Sequence, residues 1–212
     1  MRSPKLPFYV QQFQTFLDDE GERRARFYDE MTEAEKTEFI NGEVVVHSPV
    51  ALRHLLSSRN LLSLLSAYVS KYQAGFLGYE KMLIALSRND YEPDICFFAK
   101  ARAQAFTPDQ MKFPAPDFAV EILSPSTEKN DRGIKLEDYA LHGVGEYWII
   151  DPDKETLEQY LLLPETNTYE LAVKLNTGHI TSQIIAGFTI PVRAIFDEQI
   201  HWQALQEIVG KP

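Results

Sequence analysis

Two carboxylates in the sequence occupy positions from which they could bind a metal ion together. Glu121 lies in an apolar run, residues 118–123, which is typical of a strand buried on both faces of a sheet. An ionised side chain in such surroundings is usually paired with a cation or bound to a metal, because burying it alone is costly. Asp94 follows Pro93 at the start of a second apolar run, residues 95–99.

If these two runs are neighbouring antiparallel strands, Asp94 and Glu121 converge. The start of one strand then lies beside the end of the other, and directly opposite side chains are about 5 Å apart at Cβ. Oxygen ligands at this separation suit Mg²⁺ or Mn²⁺, which keep several waters and leave room for a phosphate oxygen. Without a cation the two carboxylates would repel each other and raise the pKa of one of them.

Lys135 could complete such a site from the helix that follows. It lies about one turn after the predicted start of that helix, where a cation is disfavoured by the helix dipole unless something anionic faces it. From there it could reach Glu121, or an attacking water and the scissile phosphate. Lys129 competes with Lys135 for this role. Asp94, Glu121, Lys135 and a metal ion together are the parts of a metal-assisted phosphodiesterase.

Each of these residues also has a structural interpretation. An aspartate after proline at the start of a strand often caps a turn, which applies to Asp94 and to Asp117. Glu121 could be neutralised by a buried cation, and a lysine on an amphipathic helix is usually solvated. The five histidines show no metal-ligand spacing.

The elements that must position these residues can be predicted along the chain. Asn41-Gly42 between two β-rich runs predicts a hairpin, and the leucines of residues 51–72 predict a helix whose Leu-rich face packs on the sheet. Gly75 and Gly78 are predicted to end that helix. Strands at residues 79–86 and 92–99 and the strand with Glu121 then form an antiparallel meander.

The second half of the chain predicts a helix and further strands. The helix begins at Asn130 or Asp131 and ends at Gly143. Strands follow at residues 146–152, 156–163 and 168–175, and a final helix runs through Gln206. Alternation of strands and helices in this order indicates a mixed α/β domain.

Composition narrows the class of protein. The chain has 212 residues, a net charge of −10 and a single cysteine, Cys96. These values argue against a broad basic surface that coats nucleic acid, and they exclude an internal disulfide and a Cys-based zinc site. We expect residues 1–36 to form a helical or partly flexible arm and residues 37–212 to form one domain. No secretory signal and no membrane-spanning run are visible, so a cytoplasmic protein is expected.

The motifs around Asp94, Glu121 and Lys135, together with others along the chain, resemble the Uma-two family of restriction endonuclease-like proteins, within the PD-(D/E)XK nuclease superfamily. The resemblance covers residues 38 to 196, most of the chain. It begins with residues 38–43, His54 and Pro93-Asp94, and continues with residues 120–127. Its remaining marks are Asp131, Lys135 and Tyr139 at four-residue spacing, followed by residues 143–148.

The resemblance implies a restriction endonuclease-like fold, a mixed sheet flanked by helices in a single domain, and a Mg²⁺-dependent site. Asp94 would occupy the Pro-Asp position of the superfamily, and Glu121 the acidic position of its Glu-x-Lys element. Leu123 stands where the lysine of that element would be, and Lys135 on the next helix is its natural replacement. An acidic residue on the first core helix is missing, so His54 or Glu43 would complete the site.

We therefore expect a Mg²⁺-dependent endonuclease that hydrolyses phosphodiester bonds of DNA. The alternative is a catalytically silent nuclease-fold module that binds nucleic acid or a protein partner, because a fold does not guarantee its chemistry. A third hypothesis is a hydrolase for other substrates that uses the paired carboxylates without a metal. A nuclease that cuts both strands would be expected to form a homodimer, but no residue in this pattern identifies an interface.

Overall fold

The computed structural model describes residues 3–32 and 35–210. Its strands are β1 (Thr37–Ile40), β2 (Glu43–Val46), β3 (Gly75–Tyr79), β4 (Leu83–Ala85), β5 (Asp90–Tyr91), β6 (Ile95–Ala99), β7 (Lys112–Phe113), β8 (Phe118–Ile122), β9 (Glu146–Asp151), β10 (Thr156–Leu163), β11 (Thr168–Leu175), β12 (His179–Thr181) and β13 (Thr189–Pro191). Its helices are α1 (Leu6–Glu30), α2 (Leu52–Tyr72), α3 (Lys100–Ala103), α4 (Glu128–Asp131), α5 (Ile134–Leu141) and α6 (Glu198–Gly210), with a short 3₁₀ helix at Val192–Ile195.

A mixed central sheet carries the candidate residues. Its spatial order is β11-β10-β9-β8-β6-β3, and only the β8–β9 pair is parallel. The parallel pair requires a crossover, and α4 and α5 provide it. A smaller sheet has the order β2-β1-β5-β4-β7, and β12 pairs with β13. The mixed α/β class predicted from the sequence is therefore confirmed.

Both faces of the central sheet are covered, which explains why β8 is apolar at every position except Glu121. On one face, Val120 and Trp148 belong to a core cluster with Leu61 and Leu65 of α2 and Ile208 of α6. On the other face, residues of the sheet pack with α5 and the smaller sheet. This second cluster includes Ala119, Ile149, Tyr139, Tyr147 and Ile84.

The hairpin predicted at Asn41-Gly42 is confirmed. Strands β1 and β2 pair antiparallel around it, with Ile40 opposite Glu43. Asn41 and Gly42 have φ values of 52° and 83°, the left-handed conformation that the shortest hairpin turns require at both positions. The hairpin fixes the register that turns Glu38 toward the interior, where it is 1% exposed.

The prediction for the segment after α2 was wrong in two respects. The helix ends at Gln73 in the left-handed conformation, and Gly75 and Gly78 lie inside β3 instead of ending the helix. A Cβ on Gly75 would lie 2.0 Å from the carbonyl oxygen of Phe98, so this glycine allows close approach of two strands. The edge of the meander is therefore β3, and residues 79–86 form no single strand.

The face of α2 that packs on the sheet also differs from the prediction. Leu52, Leu55 and Leu56 are exposed, whereas His54 and Ser58 are buried. Following the helical period back from Leu61 and Leu65 leads to residues 58 and 54, so the polar pair and not the three leucines continues the buried face. The first turns of α2 consequently present His54 toward Asp94, at the start of β6.

The predicted helix from residue 130 to 143 is divided into α4 and α5. Asp131 ends α4 instead of capping the start of a helix, and Gly133 precedes α5. A Cβ on Gly133 would lie 2.8 Å from the carbonyl oxygen of Lys129, which explains a glycine at this tight junction. The predicted end at Gly143 is confirmed, with φ of +77°.

The N-terminal residues form one 25-residue helix, α1. Its second half packs on the smaller sheet, where Arg24 donates two hydrogen bonds to Asp90, and Phe27 stacks on Phe39. Its first half is exposed. Among the helices of residues 3–32 and 35–210, none has the length and apolar character needed to cross a membrane.

Candidate active site

Asp94 and Glu121 meet where β6 and β8 run side by side. The antiparallel register pairs Ile95 with Val120, so Asp94, directly before β6, stands opposite Glu121. The backbone N–H of Ile122 donates a hydrogen bond of 2.8 Å to Oδ2 of Asp94, which holds that carboxylate across the strand pair. The side-chain carboxylates are nearly enclosed, since the two residues are 5% and 3% exposed. The structure thus brings together the two residues that the sequence pattern singled out.

Lys135 reaches Glu121 from α5. Its Nζ lies 3.0 Å from Oε1 of Glu121, and the hydroxyl of Tyr139 donates to the same oxygen at 3.1 Å. Asp131 lies on the other side of the ammonium group, with Oδ1 3.3 Å from Nζ. Lys135 and Tyr139 are four residues apart on α5 and therefore share one side of that helix, while Asp131 reaches the same ammonium group from the end of α4.

Glu38 is a fourth carboxylate of the cluster, and the sequence analysis assigned it no role. Its Oε1 lies 2.9 Å from Nζ of Lys135 and accepts a hydrogen bond of 2.9 Å from the backbone N–H of Glu92. His47 lies on its other side, with Nε2 3.0 Å from Oε2. The sequence offered one sign of a role for Glu38, which is a charged residue at an inward-facing position of a strand. The alternation of side chains along β1 does not, however, predict which residues Glu38 contacts.

Asp94 has two basic neighbours of its own. Nζ of Lys36 lies 2.8 Å from Oδ1, and Nε2 of His54 lies 3.4 Å from Oδ2. His54, one of the two residues proposed to complete the site, therefore lies beside Asp94. Lys36 was missed because it lies in a segment without a clear hydrophobic pattern, directly before β1, and nothing in the sequence links it to β6.

These groups line a pocket of about 320 Å³. Asp94, Glu121, Lys135, Lys36 and His54 lie on its wall, together with the segment from Val46 to Val50 and the hydroxyl-bearing residues Ser124 and Thr127. Pockets of this size are at the lower end of those that hold a small ligand. A single phosphate-bearing unit could therefore approach the carboxylates.

Two residues considered in the sequence analysis lie elsewhere. Glu43 is exposed at the tip of the β1–β2 hairpin and does not line the pocket. Lys129 is exposed on α4 and is also absent from the pocket wall. In each of these two pairs of alternatives, the structure places one residue on the pocket wall. Lys135 lies there and Lys129 does not, and His54 lies there and Glu43 does not.

The pKa values of the two central carboxylates, Asp94 and Glu121, are shifted in opposite directions. Burial alone would raise the pKa of Asp94, but Lys36 and His54 hold it well below its ordinary value. Burial raises the pKa of Glu121 well above its ordinary value, and the nearby carboxylates of Asp131, Asp94 and Glu38 add to this against the opposing effect of Lys135. Asp94 therefore ionises more readily than Glu121.

Lys135 keeps its proton despite burial. Desolvation lowers its pKa, but the carboxylates of Glu121, Glu38 and Asp131 together raise it well above the ordinary value for lysine. Lys135 and His47 in turn lower the pKa of Glu38 to about 2 against the effect of burial. The ammonium group is therefore a fixed positive charge and not a proton acceptor at neutral pH.

The donor set fits a divalent cation with two protein ligands. The cluster contains more buried carboxylates than lysines: Glu38, Asp94, Glu121 and Asp131 against Lys36 and Lys135. Both hydrogen bonds that the described residues donate to Glu121 end on Oε1, which leaves Oε2 as a possible ligand. Across residues 3–32 and 35–210, no group of three or more His, Cys, Asp or Glu side chains could hold a metal ion. A site here would have two carboxylates completed by water and substrate oxygens, which is common for Mg²⁺.

Comparison with known proteins identifies related sequences and structures. No curated protein matches the chain. The crystal structure of a "putative nuclease belonging to DUF820" from Anabaena variabilis ATCC 29413 is 18% identical, over 84% of this chain and 96% of that chain, with a TM-score of 0.68. The two proteins thus share a fold. Residues 24–193 match the family Uma2, described as "Putative restriction endonuclease", a match that covers most of the chain and starts within α1. The chain therefore belongs to the Uma2 family.

Proposed function

We propose that the protein is a DNA endonuclease that hydrolyses phosphodiester bonds and requires Mg²⁺ or Mn²⁺. The observation that carries the proposal is the pairing of β6 with β8, which places Asp94 opposite Glu121 on the wall of a pocket shared with Lys135. The family description and the nuclease title of the structural neighbour support the reaction class. DNA is proposed as the substrate because the family is described as a restriction endonuclease.

Asp94 and Glu121 would hold the cation in this proposal. A divalent cation bound there supplies activation of a water molecule and stabilisation of the negative charge that develops on the phosphate. Asp94 is already ionised and oriented by the N–H of Ile122, so it offers a prepared ligand. Glu121 would ionise on binding, since its raised pKa comes from burial and from neighbouring negative charge.

Two ammonium groups would serve the phosphate. Lys135, held in its charged form by three carboxylates, stabilises negative charge near Glu121 and does not remove protons. Lys36 is 18% exposed at its side chain and lines the pocket beside Asp94, so it is the more accessible cation. The protein as a whole is acidic, so attraction of DNA depends on this local positive charge and on the bound cation.

A silent nuclease-fold module is the competing proposal. It is favoured by the fact that, within the described residues, no three His, Cys, Asp or Glu side chains are placed so that they could hold a metal ion together. Such a module would bind DNA or a protein without any response to Mg²⁺. Cleavage that depends on a divalent cation and on Glu121 separates the two proposals directly.

The test is a cleavage assay on labelled single-stranded and duplex DNA with Mg²⁺, Mn²⁺ or EDTA. We expect the wild-type protein to cleave only with a divalent cation, and Glu121→Gln to be slower by about 100-fold or more. Gln should be tolerated structurally because it has nearly the size of Glu and keeps a side-chain oxygen that can accept the hydrogen bonds from Lys135 and Tyr139.

Glu137→Gln is the matched control. Glu137 lies on α5 like Lys135 but is exposed, so this variant should cleave like the wild type. Circular dichroism should show the same fold in all three proteins. Equal cleavage by Glu121→Gln, or cleavage that persists in EDTA, would contradict the proposal.

A further inference from the structure

The pocket that contains the two central carboxylates also has an apolar wall. Its charged lining residues are Glu35, Lys36, Glu80, Asp94, Glu121 and Lys135. The apolar wall is formed by four residues of the segment that runs from the end of β2 to the first turn of α2, namely Val46, Pro49, Val50 and Leu55. No Asp, Glu, Lys or Arg occurs at residues 44–52. The pocket therefore combines charged groups with an uncharged surface.

The apolar wall is accessible from solvent. Val46 is 56% exposed and Leu55 is 49% exposed, and Pro49 is exposed as well. Exposed apolar residues that stand alone are ordinary. Here they line the same pocket as the ammonium groups of Lys36 and Lys135, and pockets for small ligands combine an apolar lining with a few polar groups that orient the ligand. The apolar wall thus has the composition of a ligand subsite.

Two histidines hold the apolar wall beside the charged groups. His47 and His54 both belong to the segment that forms this wall. Nε2 of His47 lies 3.0 Å from Oε2 of Glu38, and Nε2 of His54 lies 3.4 Å from Oδ2 of Asp94. The segment is therefore fixed near both of its ends to carboxylates of the site. A ligand that binds at these carboxylates has the apolar wall directly beside it.

A nucleobase is the ligand group that fits this wall, an inference that rests on the proposed function. In a nucleotide the base is joined to its phosphate through one sugar, so a phosphate held near Lys36 and Lys135 brings its own base close to the wall. Bases are flat and uncharged, and enzymes that take up a single nucleotide pack its base between aromatic or apolar side chains. We propose that the apolar wall is a subsite for the base of the nucleotide that carries the scissile phosphate.

Such a subsite requires an unpaired base. In duplex DNA the bases are paired and stacked, so a base enters a pocket beside its own phosphate only after it leaves the stack. This step costs least when the strand is already single. The pocket of about 320 Å³ is at the lower end for ligand sites, so it takes one nucleotide and not a base pair. The substrate class that follows is single-stranded or unpaired DNA.

Calorimetric titration with thymidine 5′-phosphate and with 2-deoxyribose 5-phosphate, which lacks the base, tests the subsite. With Ca²⁺ present, a cation that also takes carboxylate oxygens, the wild type should bind the nucleotide about tenfold more tightly than the sugar phosphate. Leu55→Ser should lower this ratio about threefold and leave the affinity for the sugar phosphate unchanged. Leu52→Ser is the matched control, because Leu52 is 69% exposed on the same helix but does not line the pocket. Equal affinity of the wild type for the two ligands, or an unchanged ratio in Leu55→Ser, would overturn the subsite.

A labelled oligonucleotide tests the substrate class. Fluorescence anisotropy with Ca²⁺ present should show about tenfold tighter binding of the single strand than of the same strand in a blunt duplex. Equal or tighter binding of the duplex would overturn the preference for unpaired DNA. Mn²⁺ binding by the protein tests the proposed function separately. A protein that binds Mn²⁺ but does not distinguish the nucleotide from the sugar phosphate would lack the base subsite and still retain the proposed cation site.

Discussion

Lys135 is the residue on which the charge balance of the site depends most. It is 1% exposed and lies within 3.3 Å of carboxylate oxygens from three residues, Glu38, Glu121 and Asp131. A buried cation among several carboxylates need not be favourable overall, but its removal leaves uncompensated negative charge in the interior. We therefore expect Lys135 to be needed for stability as well as for the proposed reaction.

Replacing this lysine should destabilise the protein strongly. For Lys135→Met we expect the free energy of unfolding at neutral pH to fall by about 3–5 kcal/mol, as for other broken buried ion pairs. Lys129→Met, which changes an exposed lysine on α4, should alter it by less than about 0.5 kcal/mol. Urea unfolding of both variants checks this, and equal stabilities would contradict the structural role of Lys135.

At the scale of elements, the pairing of β6 with β8 positions the carboxylates and could be predicted from the sequence. This pairing was predicted from two successive apolar runs, each of which has one carboxylate near an end. The position of β3 could not be predicted in this way. Glycines commonly end helices, and the close approach of Gly75 to Phe98 depends on a contact between residues distant in sequence.

The role of Gly75 in the sheet leads to a prediction for β3. Gly75→Ala should lower the free energy of unfolding by about 1–3 kcal/mol, because its Cβ would overlap the carbonyl oxygen of Phe98. Gly21→Ala, in α1, meets no atom within 4 Å and should raise stability by about 0.5–1 kcal/mol. Thermal unfolding of the two variants checks the opposite signs. Stabilisation by Gly75→Ala would show that β3 does not pair with β6 as described.

At the scale of the whole molecule, Glu158 links the crossover helices to the far side of the central sheet. From β10 it accepts hydrogen bonds of 2.6 Å from Arg132 and 2.9 Å from Tyr160, and it lies 2.7 Å from Nζ of Lys174 on β11. Burial raises the pKa of Glu158, but these partners lower it to about 2 in the folded protein. Its contribution to stability is therefore present above the unfolded value of about 4.3 and is lost as the pH falls toward 2.

Glu158→Gln should accordingly flatten the acid side of the stability profile. Between pH of about 4.5 and 2 the free energy of unfolding should decrease less steeply with falling pH than in the wild type, because one ionisation is no longer linked to folding. Urea unfolding at a series of pH values measures both slopes. Identical slopes would show that Glu158 does not hold its lowered pKa in the folded state.

The candidate site could be predicted only in part, and the reason is physical. Asp94 directly precedes β6, Glu121 lies in β8 and Lys135 lies in α5, and only α3, the short β7 and α4 intervene, so local patterns place all three. Glu38 and Lys36 come from the hairpin region, more than fifty residues before Asp94 and Lys135, and reach the site only through packing of the smaller sheet. Contacts of such long range leave no periodic signal in the sequence.

The central claim is that Asp94 and Glu121 form a site for a divalent cation. Calorimetric titration of Mn²⁺ into the wild type and Glu121→Gln tests it without any choice of DNA substrate. We predict one binding event per chain in the wild type and none in Glu121→Gln, with Glu137→Gln binding like the wild type. Binding that is the same in Glu121→Gln, or absent from the wild type, would contradict the claim.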